Sequence, residues 1–235
     1  MLKQVLSSLS VDAVLVGGQA LAYWVNYYQV QLPSQMPGAI SDDADILGTR
    51  EDVLAIAKNT QGASTFQTQP SLSALVGHVT IPVSDATYVN VDVLHRLVGI
   101  QSAQVRDHAA EVGLEEIKFR VMHPIDVLIS RIENLANLPD KQNEEGVLQM
   151  RLAIMVAAQY IRDVSEHFVD GERHAMKVIE KIVSLAKSGS GRKCAKNFGI
   201  DFLAALPGFL ITNQNFREIR WPQILRELAL PNPLI

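Results

Sequence analysis

The chain changes character once along its length, and that change limits the folds open to it. Before residue 123, short β-branched runs at 11–16, 75–83 and 87–94 alternate with stretches of helical spacing, whereas from Pro124 onward the strand pattern stops. A small sheet with helices is therefore expected in the first half and a helical domain in the second, an α+β arrangement with its break between residues 122 and 123.

Local signals set the element order. Residues 11–16 read as a strand that ends at Gly17-Gly18, a helix follows over 19–30, and Leu32-Pro33 to Pro37-Gly38 breaks it. A second strand is expected at 43–47. Thr49 suits the N-cap of a helix over 50–59, with Glu51 and Asp52 well placed in its first turn. Two strands at 75–83 and 87–94 flank Ser84-Asp85-Ala86, and 118–122 adds another. The second half reads as helices over 124–137, 143–168, 171–188 and 216–229, the first of them opened by Pro124. Lys187 to Lys193, with two glycines and two serines, reads as a mobile linker, since it lacks the order of a phosphate-binding loop.

Composition narrows the setting. Nearly half of the 235 residues are hydrophobic, enough to bury a core, but no uncharged apolar run is long enough to span a bilayer. The N-terminus lacks the apolar run and cleavage site of a secretory signal. Cys194 is the single cysteine, which excludes an internal disulfide framework and points to a reducing cytoplasm. The six histidines show no zinc-ligand spacing. The net charge of −4 argues against a chain that coats nucleic acid. Residues 1–114 carry 5 basic against 10 acidic side chains, and residues 115–235 carry 16 against 15, so the acidic excess lies in the first half.

Within that half, Asp43-Ala44-Asp45 places two acids on one face of a strand, because side chains alternate with a period of two. Asp92 stands among valines in a run whose alternation groups it with Asn90 and Leu94, and a charge in such company needs a partner or an ion. Three carboxylates on neighbouring strands are a suitable donor set for Mg²⁺, which takes oxygen ligands. Gly17 and Gly18 stand where a strand gives way to a helix, and a phosphate approaches backbone closely only where no Cβ intervenes. His95, three residues beyond Asp92, is placed to support the acids.

Strand, Gly17-Gly18, helix, Asp43-x-Asp45 and a later Asp92 on a third strand together resemble the DNA polymerase β-like nucleotidyltransferase superfamily over about residues 11 to 95. Ser41 resembles the Ser or Thr that members often carry there. The interval from Gly18 to Asp43 is longer than in compact members, and Ala44 stands where a larger apolar residue is usual. The longer interval and the helical second half look like the abortive-infection toxin branch, similar to AbiEii, in which basic residues such as Arg131 and Lys141 would face the nucleotide. The resemblance implies a nucleotidyltransferase fold and an enzyme that holds two Mg²⁺ on Asp43, Asp45 and Asp92. It implies an NTP as substrate, bound by Gly17, Gly18, Ser41, Arg131 and Lys141. Its NMP group would pass to an RNA end, a protein or a small molecule, with no membrane involved and with a protein partner as in a toxin–antitoxin pair or a resistance component. The alternative is a non-catalytic nucleotide-binding partner that keeps the fold.

Overall fold

A computed structural model describes residues 2–31, 43–68, 73–84 and 87–228. Ser41, the expected hairpin residues Asp85 and Ala86, and the whole expected break at 32–38 lie outside the described residues. The chain divides into two compact units, Met1–Trp24 with Pro33–Ser130, and Val25–Leu32 with Arg131–Ile235. The second division, between Ser130 and Arg131, falls inside the helix Pro124–Asn137. Asp126, fully buried in the helix's first turns, accepts hydrogen bonds from Gln104 Nε2 at 2.9 Å and His108 Nδ1 at 3.0 Å, which ties that end to the first unit.

The first unit holds a mixed seven-stranded sheet among the described residues. Its strands are β1 (Val14–Val16), β2 (Ala44–Leu47), β3 (Ala63–Phe66), β4 (Leu75–Ser84), β5 (Thr87–Leu94), β6 (Ala110–Leu114) and β7 (Ile117–Val121), in the spatial order β3-β4-β5-β2-β1-β7-β6. β2 runs parallel to β5 and β1 parallel to β7; the remaining neighbours are antiparallel. One face is apolar, with Ala44 and Ile46 of β2, Val91 and Val93 of β5, and Val79 and Ile81 of β4 all buried. α3 (Arg50–Thr60) packs against β4 and β5 and contributes Val53 and Ile56 to the core. Its start matches the expected cap: Thr49 and Asp52 form a capping box, and Asp52 also accepts the Ser10 N–H at 2.9 Å.

Several elements were not legible beforehand. α1 (Leu2–Ser7), β3, α4 (Ser102–His108) and β6 are short, and β3 and β6 carry no buried residue, so neither shows a strong apolar alternation. α2 (Gly17–Tyr27) begins at the first glycine itself, and β1 is three residues long because the chain at 11–13 is still turning.

The second unit is helical, as expected. α5 (Pro124–Asn137), α6 (Glu144–His167), α7 (Gly171–Lys187) and α9 (Trp221–Leu228) follow the predicted spans closely, though 216–220 forms a π-helical turn ahead of α9. α6 buries Met150, Ala153, Ile154, Ala157, Ile161 and Val164, the three- and four-residue spacing of one helix face.

The expected linker at Lys187 to Lys193 is instead the start of a helix, α8 (Gly189–Phe198). Ser188 Oγ accepts the Gly191 N–H at 3.0 Å as its N-cap. Gly191 serves close approach: a Cβ there would lie 2.1 Å from the Leu185 carbonyl oxygen. Cys194, in the same helix, is buried, and burial together with the Glu133 charge pushes its thiol up to about 11. It is a packed and unreactive side chain. The Ser188→Ala variant should lose about 0.5–2 kcal/mol of stability, the usual worth of such a cap, measured by urea denaturation; an unchanged midpoint would return this segment to a linker.

Candidate acidic site on the sheet

The register of the central strands assembles the site. On the parallel pair β2 and β5, Asp45 stands opposite Asp92, and on the antiparallel hairpin β4 and β5, His78 stands opposite Asp92. Residues paired in register share a face, so Asp45, Asp92 and His78 form a polar row across three strands, continued by Thr65 of β3 opposite His78. One step along, Thr80 Oγ1 donates to Asn90 Oδ1 at 3.1 Å on the same face. The alternation that buries Ala44, Ile46, Val91, Val93 and Val79 on one face is what turns these polar side chains to the other.

Asp45 and Asp92 are both half-buried, and Asp43 is exposed in the bend immediately before β2. Burial raises the Asp92 carboxyl above its ordinary value, the nearby His78 lowers it, and the charge of Asp43 raises it. Asp43 is thus close enough for its charge to be felt at Asp92. Carboxylate oxygens are the donors Mg²⁺ prefers, and a cation relieves the repulsion between acids placed side by side, so the donor chemistry fits. As the side chains stand, no group of three or more His, Cys, Asp or Glu among the described residues is gathered tightly enough to hold a metal ion.

Gly17 has a role that spacing alone did not reveal. Its φ is +65°, and a Cβ built on it would lie 1.8 Å from Asp45 Oδ2. The glycine lets the strand turn at once into α2 while the Asp45 carboxylate lies directly against the backbone. Gly18 is buried as the second residue of that helix.

The other candidates stand apart from this row. Arg131 belongs to the helical unit, where it is buried and its Nη1 donates to Gln149 Oε1 at 2.6 Å, tying α5 to α6. Lys141 closes the 3₁₀ turn Pro139–Lys141 in the same unit and is half exposed, 4.0 Å from Asp140. His95 lies beyond the end of β5, exposed, with its backbone N–H bonded to the Ala74 carbonyl. The histidine beside Asp92 is His78, not His95. Counting back from the 84–86 turn would have found the neighbourhood but not the residue: Ser84 pairs with Thr87, and an irregularity between Pro82 and Ser84 then shifts the register by one, which brings His78 instead of Val79 opposite Asp92.

No protein-family model matches the sequence, and no curated protein matches it. The site is therefore interpreted from its own chemistry.

Two outcomes follow. Gly17→Ala should destabilise the protein by about 1–3 kcal/mol from the left-handed backbone alone, with the displaced Asp45 adding to the loss, as read by thermal denaturation. For Asp92, the folded protein holds the proton more tightly than the unfolded chain, so the contribution of this group to stability is fully present at low pH and falls as pH rises through its elevated folded value. Asp92→Asn should accordingly raise the melting temperature at neutral pH and not at about pH 3. A variant less stable than the parent at neutral pH would contradict the burial of this charge.

Proposed function

We propose that the protein is a Mg²⁺-dependent nucleotidyltransferase with the fold of the DNA polymerase β-like superfamily, moving an NMP group from an NTP to an acceptor. The observation that carries the reading is the in-register pairing of Asp45 and Asp92 on two parallel central strands, with Asp43 just ahead of β2. One acid on a strand, a second just ahead of it and a third on the parallel neighbour, beside a glycine-initiated helix, suit a reaction in which charge gathers on phosphate oxygens.

In this reading Asp43, Asp45 and Asp92 would hold the magnesium. When bound, it supplies positive charge against the triphosphate, which the acidic site by itself would repel. Gly17 and Gly18 bring the start of α2 beside the Asp45 carboxylate, so a phosphate held near Asp45 also meets free helix N–H groups. The acceptor hydroxyl forms a bond to the α-phosphorus as the bond from that phosphorus to pyrophosphate breaks, and the hydroxyl proton passes to an Asp92 carboxylate oxygen. Asp45 and His78 flank Asp92 in the sheet register. An RNA end, a protein hydroxyl or a polyhydroxylated small molecule are the acceptor classes, and the cytoplasm, where NTP and Mg²⁺ are abundant, is the proposed location.

The test uses each of the four NTPs labelled at the α-phosphate, with Mg²⁺ and pools of RNA, protein and polyhydroxylated small molecules as acceptors. Label transfer is expected with one acceptor pool. Loss of a residue that merely orients a metal ligand commonly costs about 10–100-fold, so loss of a ligand itself in Asp45→Asn should reduce transfer by at least about 100-fold while the fold is kept. Mg²⁺-dependent NTP binding without transfer would favour a non-catalytic nucleotide-binding partner, and undiminished transfer by Asp45→Asn would remove these acids from the chemistry.

A further inference from the structure

A second concave site lies at the other end of β1 and β2 from the acids. Asp45 pairs with Val16 at the end of β1 that leads into Gly17, whereas the cavity is bordered by Ser10, which precedes β1, and by Gly48 and Thr49, which follow β2. Its volume is about 670 Å³, within the range of small-molecule sites. Arg106 of α4 and Arg120 of β7 line it. A smaller cavity of about 270 Å³ shares Ser10 and Arg120 with it and is walled by Leu6, Leu9, Ala13 and Phe119, with Val11 85% exposed at its edge. The two share Ser10 and Arg120 in their walls: the larger one carries Asp12, Asp52 and Asp107 beside its two arginines, and the smaller one adds Glu111 and Lys118 to its apolar wall.

The charges lining the larger cavity are unevenly committed. Asp52, the buried acid of its wall, is consumed by the cap of α3, accepting from the Ser10 N–H at 2.9 Å and from the Thr49 N–H at 2.8 Å and hydroxyl at 3.2 Å. Asp12 and Asp107 are exposed. Glu111 is the register partner of Arg120 on β6. Among the described residues, none of these carboxylates forms an ion pair with Arg106 or Arg120. One Arg120 nitrogen, Nη2, is anchored on the Arg106 carbonyl oxygen, which orients its guanidinium without neutralising it. Two guanidinium groups without carboxylate partners among the described residues are suited to a planar, multiply accepting anion such as phosphate.

We propose that the two cavities together bind a phosphate monoester carrying an apolar or aromatic group, with Arg106 and Arg120 on the phosphate and Leu6, Leu9 and Phe119 on the substituent. The site is independent of the acidic row: it needs no divalent cation and stands whether or not the protein transfers nucleotides.

The test is calorimetric titration of the intact chain in EDTA, which removes any metal-dependent triphosphate binding, with inorganic phosphate, phenyl phosphate and AMP as probes. Phenyl phosphate should bind at least about tenfold more tightly than inorganic phosphate, because the apolar wall of the smaller cavity is used only by the ester. AMP distinguishes a nucleotide from other aromatic esters: binding tighter than that of phenyl phosphate makes the ligand a nucleotide, and weaker binding a smaller ester. Arg106→Ala, which removes a side chain but leaves the carbonyl that anchors Arg120, should weaken phenyl phosphate binding about tenfold or more. Arg120→Lys, which keeps the charge but not the fork, should weaken it as well, and Asp45→Asn should bind like the parent. The proposal is overturned if both arginine variants bind like the parent, if phenyl phosphate binds no better than phosphate, or if Asp45→Asn abolishes the binding.

Discussion

Everything at the acidic site depends on the pairing of β2 with β5. A parallel ladder that sets Asp45 opposite Asp92 places two like charges side by side on one sheet face, an arrangement that costs free energy unless the rest of the sheet enforces it. The enforcement comes from the opposite face. Ala44, Ile46, Val91 and Val93 are buried there with α3 packed over the neighbouring strands, and slipping either strand by one residue would expose this apolar set and bury the acids. The hydrophobic effect on one side of the sheet thereby holds an electrostatically unfavourable row on the other.

The same constraint explains the glycine at the start of α2. With Asp45 fixed by the β2 register, its carboxylate occupies the space into which a side chain at position 17 would project, and the backbone there is left-handed. Only glycine meets both conditions. His78 is a further product of the register: it stands opposite Asp92 because an irregularity in β4 shifts the hairpin by one residue, and its charge partly offsets the burial that raises Asp92.

Glycines elsewhere solve a different problem. Gly191 permits α8 to start against the last turn of α7, with Ser188 satisfying the new helix's N–H groups. A Ser/Gly-rich segment is ambiguous in sequence, because the composition that makes a linker flexible also permits the tightest helix-to-helix approach. Which outcome obtains depends on whether neighbouring residues are buried, and Cys194 is.

By itself the sequence determined the α+β division, the central strands and the main helices, because each rests on local periodicity: alternation at Ala44 to Leu47 and at Thr87 to Leu94, helical spacing from Pro124 onward. The tertiary structure alone decided the strand order, the pairing of Asp45 with Asp92, the presence of His78 rather than His95 beside them, and the burial of Arg131 against Gln149. It also decided that Arg106 and Arg120, from a helix and a strand without any shared motif, line one cavity. Periodicity reports which way a side chain points from its own element. Which neighbour it meets is set by long-range packing and by single-residue shifts in register, and these leave no local mark in the chain.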